Sequence, residues 1–264
     1  MDKVFISQSA WIALLLATIC LAPCACEKRS SAGPNASLPE DQSRPSVEIR
    51  PTPGTIEPAI VARDRGSFAS YIHFPKEVAA QTEAAVQFHC DVSEQGSVET
   101  TFALVGNQDA FKKAVQSALD WGRFTPARVD GTARPVYLAG TVLFLHQGGQ
   151  PVIVISLASA ERDRVGKLSN YIQPQLIGGL RRSLEEAESN ATINLPNNGA
   201  AEVIVKVNER GQITSSSIAS ENPKEMGLGE FLIGALKNAQ FTPAYSNGKA
   251  TAGEINVVAN FAEF

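Results

Sequence analysis

Apolar and polar positions alternate between Val86 and Val92, where Val86, Phe88, Cys90 and Val92 interleave with Gln87, His89 and Asp91. A period of two predicts a half-buried strand with its apolar side chains on one face. Glu94-Gln95-Gly96 then supplies a hairpin turn, and Val98 to Leu104 returns as a second strand. Beyond it the period lengthens. Phe111, Ala114, Val115, Ala118 and Leu119 fall at i, i+3, i+4, i+7 and i+8, the apolar stripe of a helix. Asn107 or Asp109 can cap its start and Gly122 can end it.

The same succession returns downstream. Val203, Val205 and Val207 alternate before Glu209-Arg210-Gly211, and Leu228, Phe231, Leu232, Ala235, Leu236 and Ala239 draw a second helical stripe. Phe124-Thr125-Pro126-Ala127 recurs as Phe241-Thr242-Pro243-Ala244, a displacement of 117 positions that also carries Gly131 onto Gly248 and Phe144 onto Phe261. Gly96 corresponds to Gly211 and Val98 to Ile213, and Tyr71-Ile72-His73-Phe74-Pro75 parallels Tyr171-Ile172-Gln173-Pro174. One order of turn, helix, motif and closing strand in both halves predicts an internal duplication. Pro58 to Val61 and Pro151 to Ile155 read as opening strands, and Leu176 to Glu188 and Lys76 to Glu83 as further helices. The predicted fold class is α+β: two tandem small modules, each an antiparallel sheet of about three strands packed with one or two helices.

The N-terminus follows neither period. Lys3 precedes an apolar run from Trp11 to Ala22, too short for the roughly 20 residues that span a bilayer but suited to a signal peptide. Its end resembles the lipobox of bacterial lipoproteins, with Cys26 after Ala25 as the favoured lipidation site and Cys24 as the runner-up. Residues 27–57 gather Pro34, Pro39, Pro45, Pro51 and Pro53 among Ser and charged residues, a composition that cannot bury a core and predicts a semi-extended tether. The reading divides the chain into a signal peptide (1–25), a tether (26–57), a first module (58–147) and a second (148–264).

Composition narrows the chemistry. A formal net charge of -4 and a pI near 5.5 provide no basic face for nucleic acid. Three of the 4 cysteines crowd the N-terminus, so a disulfide-stapled scaffold is not indicated. His73, His89 and His146 lack metal-type partners at i+3 or i+4, and His89 reads as solvated on the polar face of its strand. No G-x-S-x-G, H-E-x-x-H or P-loop occurs. Ser246-Asn247-Gly248-Lys249 formally matches S-x-x-K but reads as a turn, Cys90 as an inert buried thiol, and Trp121 and Phe124 as core. Asn35-Ala36-Ser37 and Asn190-Ala191-Thr192 are formal glycosylation acceptors that a bacterial lipoprotein would leave unused. The chain is therefore read as non-enzymatic, with no catalytic residue, metal or cofactor.

Taken together, Phe74-Pro75, the Gly96 turn, the Ala-rich helix and Trp121-Gly122-Arg123-Phe124-Thr125-Pro126-Ala127 resemble the TonB C-terminal domain. The resemblance covers roughly residues 70–146 and 171–264; the second copy has Asn238 where the family favours Trp and lacks an aromatic before Pro174. Joined to the lipobox-like start, which supplies the lipid anchor to a bacterial membrane, it implies a periplasmic protein that binds an extended segment of a partner envelope protein by adding it as a strand to a sheet edge. The partner class includes an outer-membrane transporter or receptor. The implied edges are the closing strands: Leu138, Gly140, Val142 and Phe144 within Leu138 to Leu145, and Ile255, Val257, Ala259 and Phe261 within Glu254 to Phe261. Alternatives are a TonB-like energy transducer that carries force to transporters, and a structural adaptor whose modules pair with each other. Edge pairing between copies would make a homo-oligomer.

Overall fold

The computed structural model describes residues 54–160, 170–189 and 198–261. The signal peptide, Cys24, Cys26, almost all of the tether and the acceptors at Asn35 and Asn190 lie outside the described residues. The first repeat opens with β1 (Ile56–Glu57), β2 (Ile60–Val61) and the one-turn helix α1 (Phe68–Tyr71). It continues through β3 (Ala84–Val92), β4 (Val98–Val105), α2 (Asp109–Trp121), β5 (Phe124–Thr125), the hairpin β6 (Ala127–Val129) and β7 (Thr132–Arg134), and β8 (Val136–Gln147). A further strand, β9 (Gln150–Ser156), follows. The second repeat comprises β10 (Tyr171–Ile172), β11 (Leu176–Ile177), α3 (Leu180–Ser189), β12 (Ala200–Val207), β13 (Ile213–Asn222), α4 (Leu228–Leu236), the hairpin β14 (Ala244–Ser246) and β15 (Lys249–Thr251), and β16 (Gly253–Asn260). The class is α+β with several small antiparallel sheets.

The two halves match in detail. Their central sheets run β8-β3-β4 and β16-β12-β13, all antiparallel, and the hairpins β6-β7 and β14-β15 correspond. At the turns, Gly96 N donates to Ser93 O at 3.0 Å, as Gly211 N does to Asn208 O at 3.0 Å. Phe124 N donates to Gly96 O at 2.8 Å, as Phe241 N does to Gly211 O at 3.2 Å. Both glycines sit at positive φ, +84 and +76, and a Cβ on either would overlap the carbonyl oxygen of Phe124 or Phe241. The motif phenylalanines are thus docked on the turns, which explains why turn and motif recur together. The upstream register differs from the sequence reading. Ile56 pairs with Val129 and Tyr171 with Ser246, and Val61 pairs with Phe124 as Leu176 does with Phe241. Ile56-Glu57, not Tyr71-Ile72, is therefore the counterpart of Tyr171-Ile172, and β1 begins inside the stretch read as tether.

Other boundaries move for local reasons. β9 follows β8 across Gly148-Gly149, both at positive φ, and pairs with Thr141–Gln147, so it extends the first sheet and does not open the second module. The first module therefore continues past residue 147. No helix forms over Lys76 to Glu83; Gln81 adopts φ 66, and the stretch holds turns at Lys76-Glu77 and from Ala79 to Thr82. Gly178 and Gly179, at φ 97 and 82, delay α3 to Leu180. Gln108 occupies the N-cap of α2 without a side-chain bond. Gly122 does close α2, but at φ -86; it is needed because a Cβ would meet Phe68 Cα and Ala118 O.

Each sheet packs a helix on one face. Phe88, Phe111, Leu119, Leu138 and Phe144 centre the first core, and Val203, Val205, Leu232, Phe241 and Val257 the second. Phe102 of β4 and Tyr137 of β8 cross into the second core. The repeats are consequently one packed body. Gly211→Ala combines a steric overlap with a forbidden φ and should cost about 2 kcal/mol or more, whereas Gly248→Ala, at φ +75 in open space, should cost about 1 kcal/mol. Urea unfolding of both variants measures the difference; equal costs would contradict the docking of Phe241 on its turn.

Candidate functional site: the strand edges and the buried seam

A strand recruits a partner through backbone groups turned away from its neighbours, so the site is defined by which edges stay open. The first predicted edge is closed. Leu138, Gly140, Val142 and Phe144 lie in β8, an interior strand with β3 on one side and β9 and β11 on the other. Gln173 Nε2 reaches Ala139 O at 3.4 Å in the gap between β11 and β9. The expectation of unpaired backbone there is corrected: every residue from Val136 to Phe144 is buried. A run of nine uncharged positions was the available signal, because continuous apolar strands are buried on both faces.

The second predicted edge has no strand beside it among the described residues, but it is occupied. Ile255, Val257 and Ala259 point into the second core, and Phe261 follows just past the end of β16. On the outer side, the buried Tyr137 hydroxyl accepts from Val258 N at 2.7 Å and lies 3.5 Å from Asn256 O. His89 Nδ1 stands 2.9 Å from the same hydroxyl, and the imidazole bonds the Asn256 carbonyl. A tyrosine and a histidine of the first repeat thus take the place of an added strand. His89, read as solvated, is only 2% exposed, because the polar face of β3 is the face that meets the second repeat.

Asp91, next on that face, is the other half of the seam. Its carboxylate accepts from Leu180 N at 2.8 Å and Arg181 N at 2.9 Å, capping α3, which supplies no capping side chain of its own at Gly178-Gly179. Gln175 completes the join: its amide accepts from Ala59 N at 2.7 Å and donates to Ala59 O at 2.8 Å. Tyr245 OH also donates to Ile56 O. Cys90 faces the first core, and burial pushes its thiol well up. Among the described residues no group of His, Cys, Asp and Glu is placed to hold a metal ion.

β4, the outer strand of the first sheet, lies against β16 and sends Phe102 into the second core, and two further outer edges remain. His146 N donates to Glu83 on the β3 side, so β8 turns its odd-numbered residues toward β9. The outward positions of β9 are then Pro151, Ile153 and Ile155; Pro151 has no N–H, and Leu157 O is taken by Gln173 N at 3.0 Å. Its open stretch is short. In the second sheet, Tyr137 meets Asn256 and Val258 from outside, so Ile255 and Val257 face β12; carried across, Ser215 and Ser217 face β12 while Ser216 and Ile218 face outward. β13 is exposed along nearly all its length and carries bulges near Thr214 and Ala219. It is the longest strand with an open side. Trp121, read as core, is 71% exposed at the end of α2, while Phe124 is buried as expected.

Family models, curated proteins and solved structures yield no match to this chain. The comparison between its own two repeats is therefore the informative one.

The seam carries opposing titrations. Burial lowers His89 to about 4 from 6.5, so the unfolded chain takes up a proton first and stability is lost as pH falls from 6.5 to 4. Burial lifts Asp91 to about 6 from 3.8 against the pull of the two amides, so its contribution is present at low pH and lost as pH rises through 6. Each amounts to about 3 kcal/mol, and the two nearly cancel. Asp91→Asn, which keeps one acceptor for the cap, should therefore lose about 3 kcal/mol more than the wild type between pH 6.5 and 4. Urea unfolding at both pH values checks this; parallel pH profiles would exclude it. Tyr137→Phe leaves Val258 N without its partner, removes one of the two bonds of His89, and should cost about 1–3 kcal/mol at pH 7, read in the same titration.

Proposed function

We propose that the chain is a non-enzymatic cell-envelope protein-binding module, lipid-anchored in the periplasm, whose two TonB C-terminal-like repeats are mated so that β13 is left to receive an extended segment of a partner. The observation that carries this reading is the allocation of edges. Both closing strands are satisfied within the chain, one by β9 and β11 and the other by Tyr137, whereas Ser216 and Ile218 direct backbone groups outward from a ten-residue strand. Its side chains, Thr214-Ser215-Ser216-Ser217, are small and polar. Such an edge is hydrated when empty and resists non-specific self-association, yet still offers a ladder to a specific strand.

The adaptor reading is favoured by one observation of its own. Asp91, Tyr137 and Gln175 spend their polar groups on the other repeat, which is what permanent pairing of modules requires.

The alternation along β13 separates the two. Proline at 216 removes an outward N–H and spares the ladder to β12, so Ser216→Pro should leave the melting temperature nearly unchanged. A photo-crosslinking residue at Ile218 should capture an envelope protein in cells, and Ser216→Pro should abolish the adduct. A Ser216→Pro protein that folds normally and keeps the adduct would dismiss strand addition at β13. No adduct with the wild-type sequence would leave the adaptor alone.

A further inference from the structure

The open edge of β13 is flanked by two faces of different character. Residues paired across antiparallel strands share a face, so Ile218, opposite Val203, and Ser216, opposite Val205, turn their side chains to the side of the second core. Ser215 and Ser217, opposite Lys206 and Ile204, turn to the other side, where Ser220 reaches Glu202 at 3.4 Å. No residue from Ile213 to Ser220 is charged. The outward backbone groups of Ser216 and Ile218 thus belong to residues of the core-side face.

On that face the helix α4 continues the apolar surface past the strand. A Cβ on Gly229 would lie 2.7 Å from Ile218 Cδ1, so Ile218 rests on bare backbone in the first turn of α4. Ile233, one turn further along the same flank, is half-buried against the second core. Ile218 itself stays 39% exposed. An apolar ledge therefore runs beside the unpaired backbone, and the small Ser216 leaves room next to it. In the first repeat the counterpart strand is covered. β4 lies against β16, in which Ile255, Val257 and Ala259 alternate with Glu254, Asn256 and Val258.

We propose that the segment received by β13 is an amphipathic strand, uncharged along the contact, whose residues opposite Ser216 and Ile218 are both apolar and close over Ile218 and Ile233. Every second side chain of an added strand falls on the core side. There an apolar residue covers the exposed part of Ile218, which contributes about tenfold to affinity over a polar one. The intervening side chains stand in water beside Ser215 and Ser217 and are polar. Main-chain hydrogen bonds hold the segment, and the ledge sets its register, because a slip of one residue turns its apolar side chains out to solvent. The proposal rests on β13 as the receiving edge and states which strands that edge accepts.

Full-length protein in detergent is titrated, up to millimolar concentration, with two capped hexapeptides of one composition. Thr-Val-Thr-Val-Thr-Thr carries both Val on one face, and Thr-Val-Thr-Thr-Val-Thr carries one on each. Hydrogen exchange of the β13 amides, Ile218 above all, reads occupancy of the edge. The one-faced peptide should slow this exchange at about a tenth of the concentration that the two-faced peptide requires. Ile218→Ser, at a half-exposed position, should keep the circular dichroism spectrum and make the two peptides equal. Ser216→Pro should remove the effect of both. Equal affinity of the peptides for the unaltered protein would overturn the proposal and leave β13 as the receiving edge. Exchange slowed by neither peptide, or slowed as well after Ser216→Pro, would overturn it together with β13 as a strand acceptor.

Discussion

The polar face of the first repeat's sheet is not a surface. His89 and Asp91 on β3 and Tyr137 on β8 are turned toward the second repeat and buried there, while Gln87 on the same face meets Ser159 and Ala160. Burying such groups is unfavourable unless each finds a partner. The seam supplies them: two helical amides for Asp91, a strand amide and a histidine for Tyr137, a backbone carbonyl for His89. With these bonds made, the first sheet has apolar cover on one side and the second repeat on the other. The orientation of the repeats follows, because Tyr137 can reach Val258 and Asp91 can reach Leu180 in only one arrangement.

That constraint decides the disposition of the edges. A free closing strand was the natural expectation for either repeat taken alone. In the fused pair, β11 belongs to the second repeat's chain but pairs with β8 of the first, and the outward backbone of β16 is met by a side chain. Strand-recruiting capacity is displaced to the far rims, where β9 is shortened by Pro151 and Gln173 and β13 remains long, small-chained and polar.

Local pattern made much of the fold legible. The period-two runs at Val86 and Val203, the stripe from Phe111 and the recurrence of Phe124-Thr125-Pro126-Ala127 are statements about one face of one element, and such faces emerge as read. What stayed hidden were contacts between residues 48 or more positions apart. Nothing near His89 or Asp91 in the chain announces Tyr137, Asn256 or Leu180, so two polar residues alternating with apolar ones looked solvated. The faint equivalence of Ile56 with Tyr171 lost to the louder but accidental match of Tyr71-Ile72 with Tyr171-Ile172, since only the hairpin pairing distinguishes them. Trp121 reads as core from its place at a helix end in the family pattern, although the asparagine at its counterpart marks a position that packing does not govern.

The Asp91 cap has a temporal side. A ribosome delivers the chain N-terminus first, and domains tend to complete in that order. The first sheet can assemble through β9 before Leu180 has been made, leaving a carboxylate poised at its back. When α3 emerges, its unsatisfied leading amides find that ready acceptor, so the earlier repeat serves as a template on which the later one nucleates. Two halves of like fold, which could otherwise exchange strands during synthesis, are thereby given a sequence of assembly as well as a place.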